Sequence, residues 1–521
     1  MSDETICYLV LAGVVVLFVW GRFPVELVAI GAALALWATG VLDLHQSVAG
    51  FGDPTVVFIA SLFVVSDSLD ATGITSWAGQ RLGEQVGESR TRLIVLTLLL
   101  VAGTSALISV NGAVAALLPV VAVTAVRLGR PPSQLLMPLA FGAHAGSLLA
   151  LTGTPVNILV SNASHAARAG GFNFFAFALV GVPLVAGTIL VVLVFGEQLL
   201  PHRSARSLSA DFSQHARTLR EQYGLGADVS GPLFTSESGV AEVVIPPRSE
   251  LIGETVFPGM VTPSGDLVIL AVQRKGEDME GDVALVTGDT LLLRGTWGAL
   301  DVNLDDPDVL VVDAPALVRR QAVPLGFRAK EAIAVLAAMV VLLATGAVPA
   351  AVAGLLAAGA IVLLRVLTVD QAYRAISWTT VILVGGMIPL STAMIQTGAA
   401  EDLADDLVSV VGDTGGYALL AGLFLLTAVL GQLISNTATA LIVIPIAVSA
   451  ATEIGVSVQP VLMCVAVAAA AALLTPVATP ANLMVMGPGG YRFGDYWKLG
   501  LPLLLLYGVV AILLVPVFWS F

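Results

Sequence analysis

The sequence predicts an all-α polytopic membrane protein: two inverted repeats, each of five membrane crossings plus one re-entrant hairpin, joined by a small cytosolic α+β insert. Three observations predict this: the apolar composition, the succession of long apolar runs, and a repeat in the letters at a fixed offset. Of 521 residues, 57% are hydrophobic and 12% charged, against roughly 25% charged in an ordinary soluble domain. Soluble cores do not account for that excess. The net charge of −14 comes from acids clustered in loops and in the insert. It reads as solvation and gives no basic patch for nucleic acid. Cys7 and Cys464 fall inside apolar runs as small buried hydrophobes, with no sign of a disulfide or metal site.

Runs of about 17 or more apolar residues are long enough to cross a hydrocarbon core. In order they fall near 6–20, 24–42 and 54–72, then as a broken pair at 93–126, then at 134–165 and 173–199. After residue 327 the pattern returns at 328–347, 349–366 and 377–397, a broken pair at 416–451, and runs at 459–486 and 498–520. Residues 6–20 are expected to be a retained span, since no charged n-region and cleavage site precede them. The lipid bilayer is therefore the first partner. The halves resemble each other in letters. "TVVFIASLFVVSDSLDATG" at 55–73 pairs with "TVILVGGMIPLSTAMIQTG" at 380–398, and "GTPVN" at 153–157 pairs with "ATPAN" at 478–482, both at an offset of 325. The predicted organisation is thus 1–199 as the first membrane repeat, 200–327 as linker and insert, and 328–521 as the second repeat.

Lys and Arg flanking spans stay on the cytoplasmic side. With each broken pair taken as a hairpin, Arg22, Arg81, Arg90, Arg92, Arg127, Arg130, Arg365, Arg374, Arg492 and Lys498 share one side. Arg168 lies opposite, with Asp43, Asp53, Glu401, Asp402, Asp405, Asp406 and Asp413. An odd number of crossings per half inverts the second half. Both termini are then outside the cytoplasmic membrane and the insert is cytoplasmic. Inverted repeats with interrupted helices are the architecture of many secondary transporters, with sites at mid-membrane where the repeats meet.

The insert begins with a polar linker, "RSARSLSADFSQHARTLREQYG", and continues as short β-branched runs broken by Pro, Gly and Asp, the pattern of strands and turns. Its core is expected at about 238–302. "VVIPPRSELIGETV" and "VTGDTLLLRG" resemble the C-terminal ligand-binding module of regulators of K+ conductance, the TrkA-C type. That resemblance implies a dimerising module or one that senses a small regulatory ligand; an inherited structural insert without regulation is the alternative.

Four polar breaks interrupt apolar runs: "SVNGAV" at 109–114, "TGTPVN" at 152–157, "SNTATA" at 435–440 and "VATPAN" at 477–482. Bilayer backbone must satisfy its own hydrogen bonds unless it lines a protein cavity. The Ser-Asn-Thr tip at 435–437 and its counterpart Ser-Val-Asn at 109–111 therefore suggest re-entrant hairpins reaching a cavity. In the other two breaks, Pro removes an N–H and opposes helix continuation. Helix N-termini, hydroxyls and amides hold an anion, and unpaired carbonyls with Ser and Asn oxygens coordinate Na+. Small residues in spans also serve close helix packing, but matched pairs of breaks favour a site. Asp67 and Asp70 lie near the end of their span, where hydration accounts for them, and His144 reads as a packing residue.

At these residues the chain resembles the divalent anion/sodium symporter family, within the ion transporter superfamily, over both membrane halves. The resemblance rests on "SNTATALIVIPI", "ATPANLM" and "GTPVNIL". It implies a substrate site of Ser109, Asn111, Thr154, Ser435, Asn436, Thr437, Thr479 and Pro480. It also implies one sodium site from Ser105, Ser109 and Gly153, and a second from Asn436 and Ala478 with carbonyls near Gly431 and Ile434. A homodimer moving a small anion, a C4-dicarboxylate or sulfate, with Na+ by an elevator motion follows from the same resemblance. Val110 stands where the family carries an amide, which puts the first sodium site in question. Proton-coupled anion transport, cation/proton antiport of the same superfamily, and a channel gated by the cytosolic domain are the alternatives. The channel lacks a carbonyl filter, the antiporter lacks a carboxylate at the breaks, and no enzymatic constellation is present.

Overall fold

The computed structural model describes residues 2–74, 77–78, 81, 89–203, 238–279, 281–304, 308–312, 328–411 and 415–521. Nearly all of the expected linker, and Asp413, lie outside the described residues. Two compact units form: one within Met1–Leu69, Arg81–Ser207 and Lys330–Phe521, and a smaller one within Asp70–Gln80 and Leu208–Ala329.

The first half of the larger unit runs α1 (Asp3–Trp20), α2 (Val25–Ala38), α3 (Leu44–Val48), α4 (Pro54–Ala71), α5 (Arg90–Leu107), α6 (Val110–Arg127), α7 (Leu136–Gly146), α8 (Pro155–Ala166) and α9 (Ala178–Leu199). In the smaller unit, α10 (Trp297–Asn303) lies between the sixth and seventh of the strands described below. The second half runs α11 (Ala329–Thr345), α12 (Ala350–Leu363), α13 (Val369–Ala375), α14 (Trp378–Thr397), α15 (Ala399–Val411), α16 (Gly416–Gly431), α17 (Asn436–Glu453), α18 (Val458–Ala470), α19 (Pro480–Met486), α20 (Tyr496–Val509) and α21 (Val515–Phe518). A π-turn at Val510–Leu514 joins the last two.

Among the described residues, seven helices are long and apolar enough to cross a membrane, and five shorter apolar helices accompany them. Leu9, Leu27, Leu190, Leu356, Leu425 and Leu505 are each more than half exposed on these helices. In a helix bundle, exposed Leu on several helices at once marks a surface made for hydrocarbon rather than water. The chain is a multi-pass membrane protein.

Local signals repeat in the two halves. The short helices α3 and α13 start with capping boxes, Asp43 with Gln46 and Thr368 with Gln371. Each pairs a side chain with an orphan first-turn N–H in both directions. The two broken pairs are helix pairs that pack on each other: α5 with α6 across Ile108 and Ser109, and α16 with α17 across residues 432–435. Runs 134–165 and 459–486 are each two helices separated by irregular backbone, as the internal prolines dictate.

In the smaller unit, β1 (Ser238–Val244), β2 (Thr255–Val256), β3 (Leu267–Arg274), β4 (Glu277–Asp278), β5 (Val283–Ala284), β6 (Thr290–Thr296) and β7 (Leu310–Val311) form a five-stranded sheet of order β4-β3-β6-β1-β7 and a β2-β5 pair. Every pairing is antiparallel, with a register shift between Ile269 and Ala271. Val243, Ile245, Leu267, Ile269, Val272, Leu291 and Leu293 bury one continuous core, closed by Leu300 of α10. Asp289, 1% exposed, accepts two hydrogen bonds from the Arg274 guanidinium and a third from the Val286 N–H, each at 2.8 Å. These bonds hold the Val286–Asp289 turn against β3.

Candidate functional site

Each broken helix is opened by the same device. In the first half, Asn157 of α8 reaches back with its amide Nδ2, donating to the carbonyls of Ser147 and Ala150 at 2.9 Å each. In the second, Asn482 of α19 donates to Ala472 at 2.9 Å and Thr475 at 3.1 Å. All three positions correspond at the 325 offset. A carbonyl freed by a helix break is costly to bury without a donor, and one amide satisfies two of them. The same two loops are pressed from behind by a glycine of the next helix. A Cβ on Gly181 would strike the carbonyl of Leu148, and a Cβ on Gly500 that of Leu473. Bare glycine is needed for that approach, and Gly-x-Pro occurs at both places, 181–183 and 500–502.

The hairpin tips are capped by their serines. Ser109 Oγ accepts from the Gly112 N–H at 3.1 Å, and Ser435 Oγ from the Ala438 N–H at 3.3 Å. The N-termini of α6 and α17, each 18 residues long, start at these tips. Packing crosses the halves: α6 of the first hairpin lies on α19, and α17 of the second hairpin lies on α8. Each hairpin's returning helix thereby packs against the helix that follows the opposite half's break.

Within this frame the expected site residues fall as follows. Ser105 is fully buried and donates to the Ala143 carbonyl at 2.5 Å. Ser109, Thr154, Asn436 and Thr437 are half-buried, and Gly153, Gly431, Ile434, Ala478 and Thr479 are buried. Asn111, Ser435 and Pro480 are exposed. Thr154 caps α8 through a long 3.5 Å contact to the Val156 N–H, and Thr479 accepts from the Asn482 N–H at 3.3 Å. The carbonyls of Gly153, Gly431, Ile434 and Ala478 accept no hydrogen bond among the described residues, so the four backbone oxygens expected as cation ligands are unspent. Asn436 Oδ1 is likewise buried without a partner.

Several residues of the site carried no clear sequence signal. Gln432 binds the second tip to the second break. Its Nε2 donates to Ala428 and Ala471 at 3.1 and 3.0 Å, and its Oε1 accepts from the Leu474 N–H at 2.8 Å. The signal available was an amide in the last turn before a tip. In the first half Thr152 makes the equivalent tie, donating to the Ala106 carbonyl at 3.0 Å. Thr439, one turn beyond Ser435, is fully buried with its Oγ1 unpaired. His144, expected as a packing residue, has its Nε2 3.2 Å from Thr479 Oγ1, so it touches the other half's break. Among the described residues, the unpartnered buried atoms of His144, Asn157, Asn436, Thr439 and Asn482 all belong to the broken helices or the second hairpin. Such atoms are rare unless a ligand or water meets them.

A second network braces this region. Arg203, at the end of the first half, donates to Asp495 Oδ2 at 2.8 Å and to the Gly490 carbonyl at 3.2 Å. The Tyr491 hydroxyl donates to the Ser133 carbonyl at 2.5 Å and accepts from the Met137 N–H at 2.8 Å. Tyr496 donates to the Asn482 carbonyl at 2.6 Å. The buried hydroxyls of Tyr491 and Tyr496 and the Asp495 carboxylate are tolerated because each meets a hydrogen-bond partner.

Comparison with known proteins agrees with this architecture. The citrate transporter (CitMHS) family profile matches residues 15–459 and 408–521. The chain is 32% identical to the uncharacterized transporter YfbS of Escherichia coli, over the full length of both. It is 26% identical to a probable sodium/sulfate cotransporter 3 of Chlamydomonas reinhardtii, over 52% of this chain and 31% of that one. The crystal structure of the Alcanivorax borkumensis YdaH transporter superposes with a TM-score of 0.51 at 15% identity, over 97% of this chain and 99% of that one, a likeness of fold. With the apolar helices, the paired breaks and a family profile running along nearly the whole chain, this multi-pass membrane protein belongs to the citrate transporter family and is a transporter rather than an enzyme.

Proposed function

We propose that the protein is a secondary active symporter that moves a small divalent anion, a C4-dicarboxylate or sulfate, together with Na+ by elevator-type alternating access. The halves 1–199 and 328–521 act as inverted repeats, with both termini outside the cytoplasmic membrane, the insert in the cytoplasm, and two copies forming a dimer. The single observation carrying this reading is the matched pair of breaks. Asn157 and Asn482 hold them open in the same way, and the helix after each break packs against the other half's hairpin.

The anion is held by Ser109 and Asn111 on one side and Ser435, Asn436 and Thr437 on the other, with Thr154, Thr479 and Pro480 completing the site. Exposure of Asn111 and Ser435 supports an opening toward water at both tips. Na+ is held by Ser105, Ser109 and Gly153 at the first site. At the second it is held by Asn436, Ala478 and the carbonyls of Gly431 and Ile434. Unspent carbonyls together with an unpaired amide oxygen at Asn436 suit a hard cation, which prefers oxygen ligands. The sodium/sulfate cotransporters of Chlamydomonas reinhardtii among the relatives favour sodium and sulfate, and the family's name adds citrate to the anions worth testing. The insert, TrkA-C-like in its letters, senses a small ligand in this reading.

Asn436→Ala tests the assignment. Sodium-driven uptake is expected to vanish while membrane expression is retained. Full uptake by this variant would remove Asn436 from both sites.

A further inference from the structure

His144 is the one imidazole buried at the breaks. Its side chain is 1% exposed, it lies on α7 of the first half, and it meets Thr479 of the second half at 3.2 Å. The position 325 residues on is Ala469, so this strut exists in one half only. Thr479 Oγ1 already accepts from the Asn482 N–H at 3.3 Å. Apart from His144 Nε2 itself, no acceptor for the Thr479 hydroxyl hydrogen appears among the described residues.

We propose that His144 is a positioning residue for the anion: in its Nε2–H tautomer it donates to Thr479 Oγ1 and thereby turns the Thr479 hydroxyl hydrogen toward the substrate. This rests on the anion site proposed above. The argument is one of valence. A hydroxyl has one hydrogen and two lone pairs. With Asn482 N–H and His144 Nε2–H both donating, the lone pairs are spent and the hydrogen is left to donate. In the opposite tautomer the hydroxyl would give its hydrogen to Nε2 and would have no donor to offer. That tautomer would also bury an Nδ1–H with no acceptor at hydrogen-bond geometry: the Asn482 side chain lies beside the ring, but Nδ1 and Asn482 Oδ1 both lack a partner at that geometry among the described residues. Orphaned donors are rarer in folded proteins than orphaned lone pairs, which favours Nε2–H. Thr479 then offers a fixed hydroxyl donor, suited to a carboxylate or sulfate oxygen and useless to a cation.

Two variants and one spectrum test this. Gln places an N–H where Nε2 stands, whereas Leu fills similar space with no donor. In proteoliposomes, His144→Leu is expected to raise the KM for the transported anion about tenfold, the worth of one hydrogen bond to a charged group. Maximal rate and sodium activation should be unchanged. His144→Gln should restore most of that affinity. Loss of maximal rate without a KM change, or a Gln variant no better than Leu, would overturn the proposal. Independently of transport, the 15N spectrum of histidine-labelled protein reports the tautomer. The chain has five histidines, and the signal missing from His144→Gln identifies this one. Nε2–H is expected; an Nδ1–H or doubly protonated ring would overturn the proposal. If the wild-type protein moves no anion, the site reading fails, while the spectrum still decides the tautomer.

Discussion

Replacing Asn482 by Ala removes the amide that holds the second break open. The carbonyls of Ala472 and Thr475, bonded at 2.9 and 3.1 Å, lose their only side-chain donor. Asn482 itself is fully buried, so water reaches the site only by entering the gap the amide leaves. An unsatisfied buried acceptor costs about 1–3 kcal/mol, which gives about 2–6 kcal/mol for the pair, the low end applying if a water fills in. Asn482 Oδ1 adds nothing to the loss because it has no partner. Asn157→Ala should cost a similar amount, since Ser147 and Ala150 lose bonds of 2.9 Å in the same arrangement. Asn482→Asp should be worse than Ala, because it sets carboxylate oxygens against two carbonyls. Thermal unfolding of purified protein in detergent, followed by uptake in vesicles, measures both effects. A melt that coincides with wild type in either Ala variant, together with unchanged uptake, would refute the view that these amides hold the breaks.

Three further outcomes follow from other contacts. Gln432→Leu unties the second tip from the Leu474 N–H and the Ala471 carbonyl, and the sodium concentration for half-maximal uptake should rise about tenfold, as for loss of about 1.4 kcal/mol. Titrating uptake against sodium checks it. Gly500→Ala drives a methyl into the Leu473 carbonyl and should cost about 1–3 kcal/mol by overpacking, seen as a lower melting temperature with Gly500→Ser no better. In the insert, burial alone would raise the Asp289 carboxyl, but the Arg274 guanidinium and the Val286 N–H overcome it and hold it below its ordinary value. A carboxyl depressed on folding stabilises above its unfolded pKa of about 4, and that stability is lost as pH falls through the lower folded value. Hydrogen-exchange protection in β3 and β6, taken relative to the intrinsic rate at each pH, should therefore fall at acid pH, and Asp289→Asn should flatten that dependence.

Much of this was legible in the letters, for physical reasons. Span positions follow from apolar length, and the breaks from Pro, Gly and Ser-Asn-Thr placed where hydrocarbon forbids free backbone. The capping boxes at Asp43 and Thr368 and the break-holding amides of Asn157 and Asn482 sit at the same 325 offset as the letter repeat, yet their roles emerged only from the hydrogen bonds. Contacts between distant segments were not legible. His144 touches Thr479 across 335 residues, and Arg203 reaches Asp495 across 292. No periodicity carries such a pairing. Gln432 was hidden for a related reason, because its partners Ala471 and Leu474 act through backbone atoms, which every residue possesses.

The central claim is that the paired breaks and tips carry an anion coupled to Na+. Purified protein in proteoliposomes, given labelled sulfate, succinate or citrate under an inward Na+ gradient and, separately, under a pH gradient alone, tests it most directly. The account predicts uptake of at least one of these anions driven by Na+ and absent without it. Uptake driven by the pH gradient alone and indifferent to Na+ would contradict it.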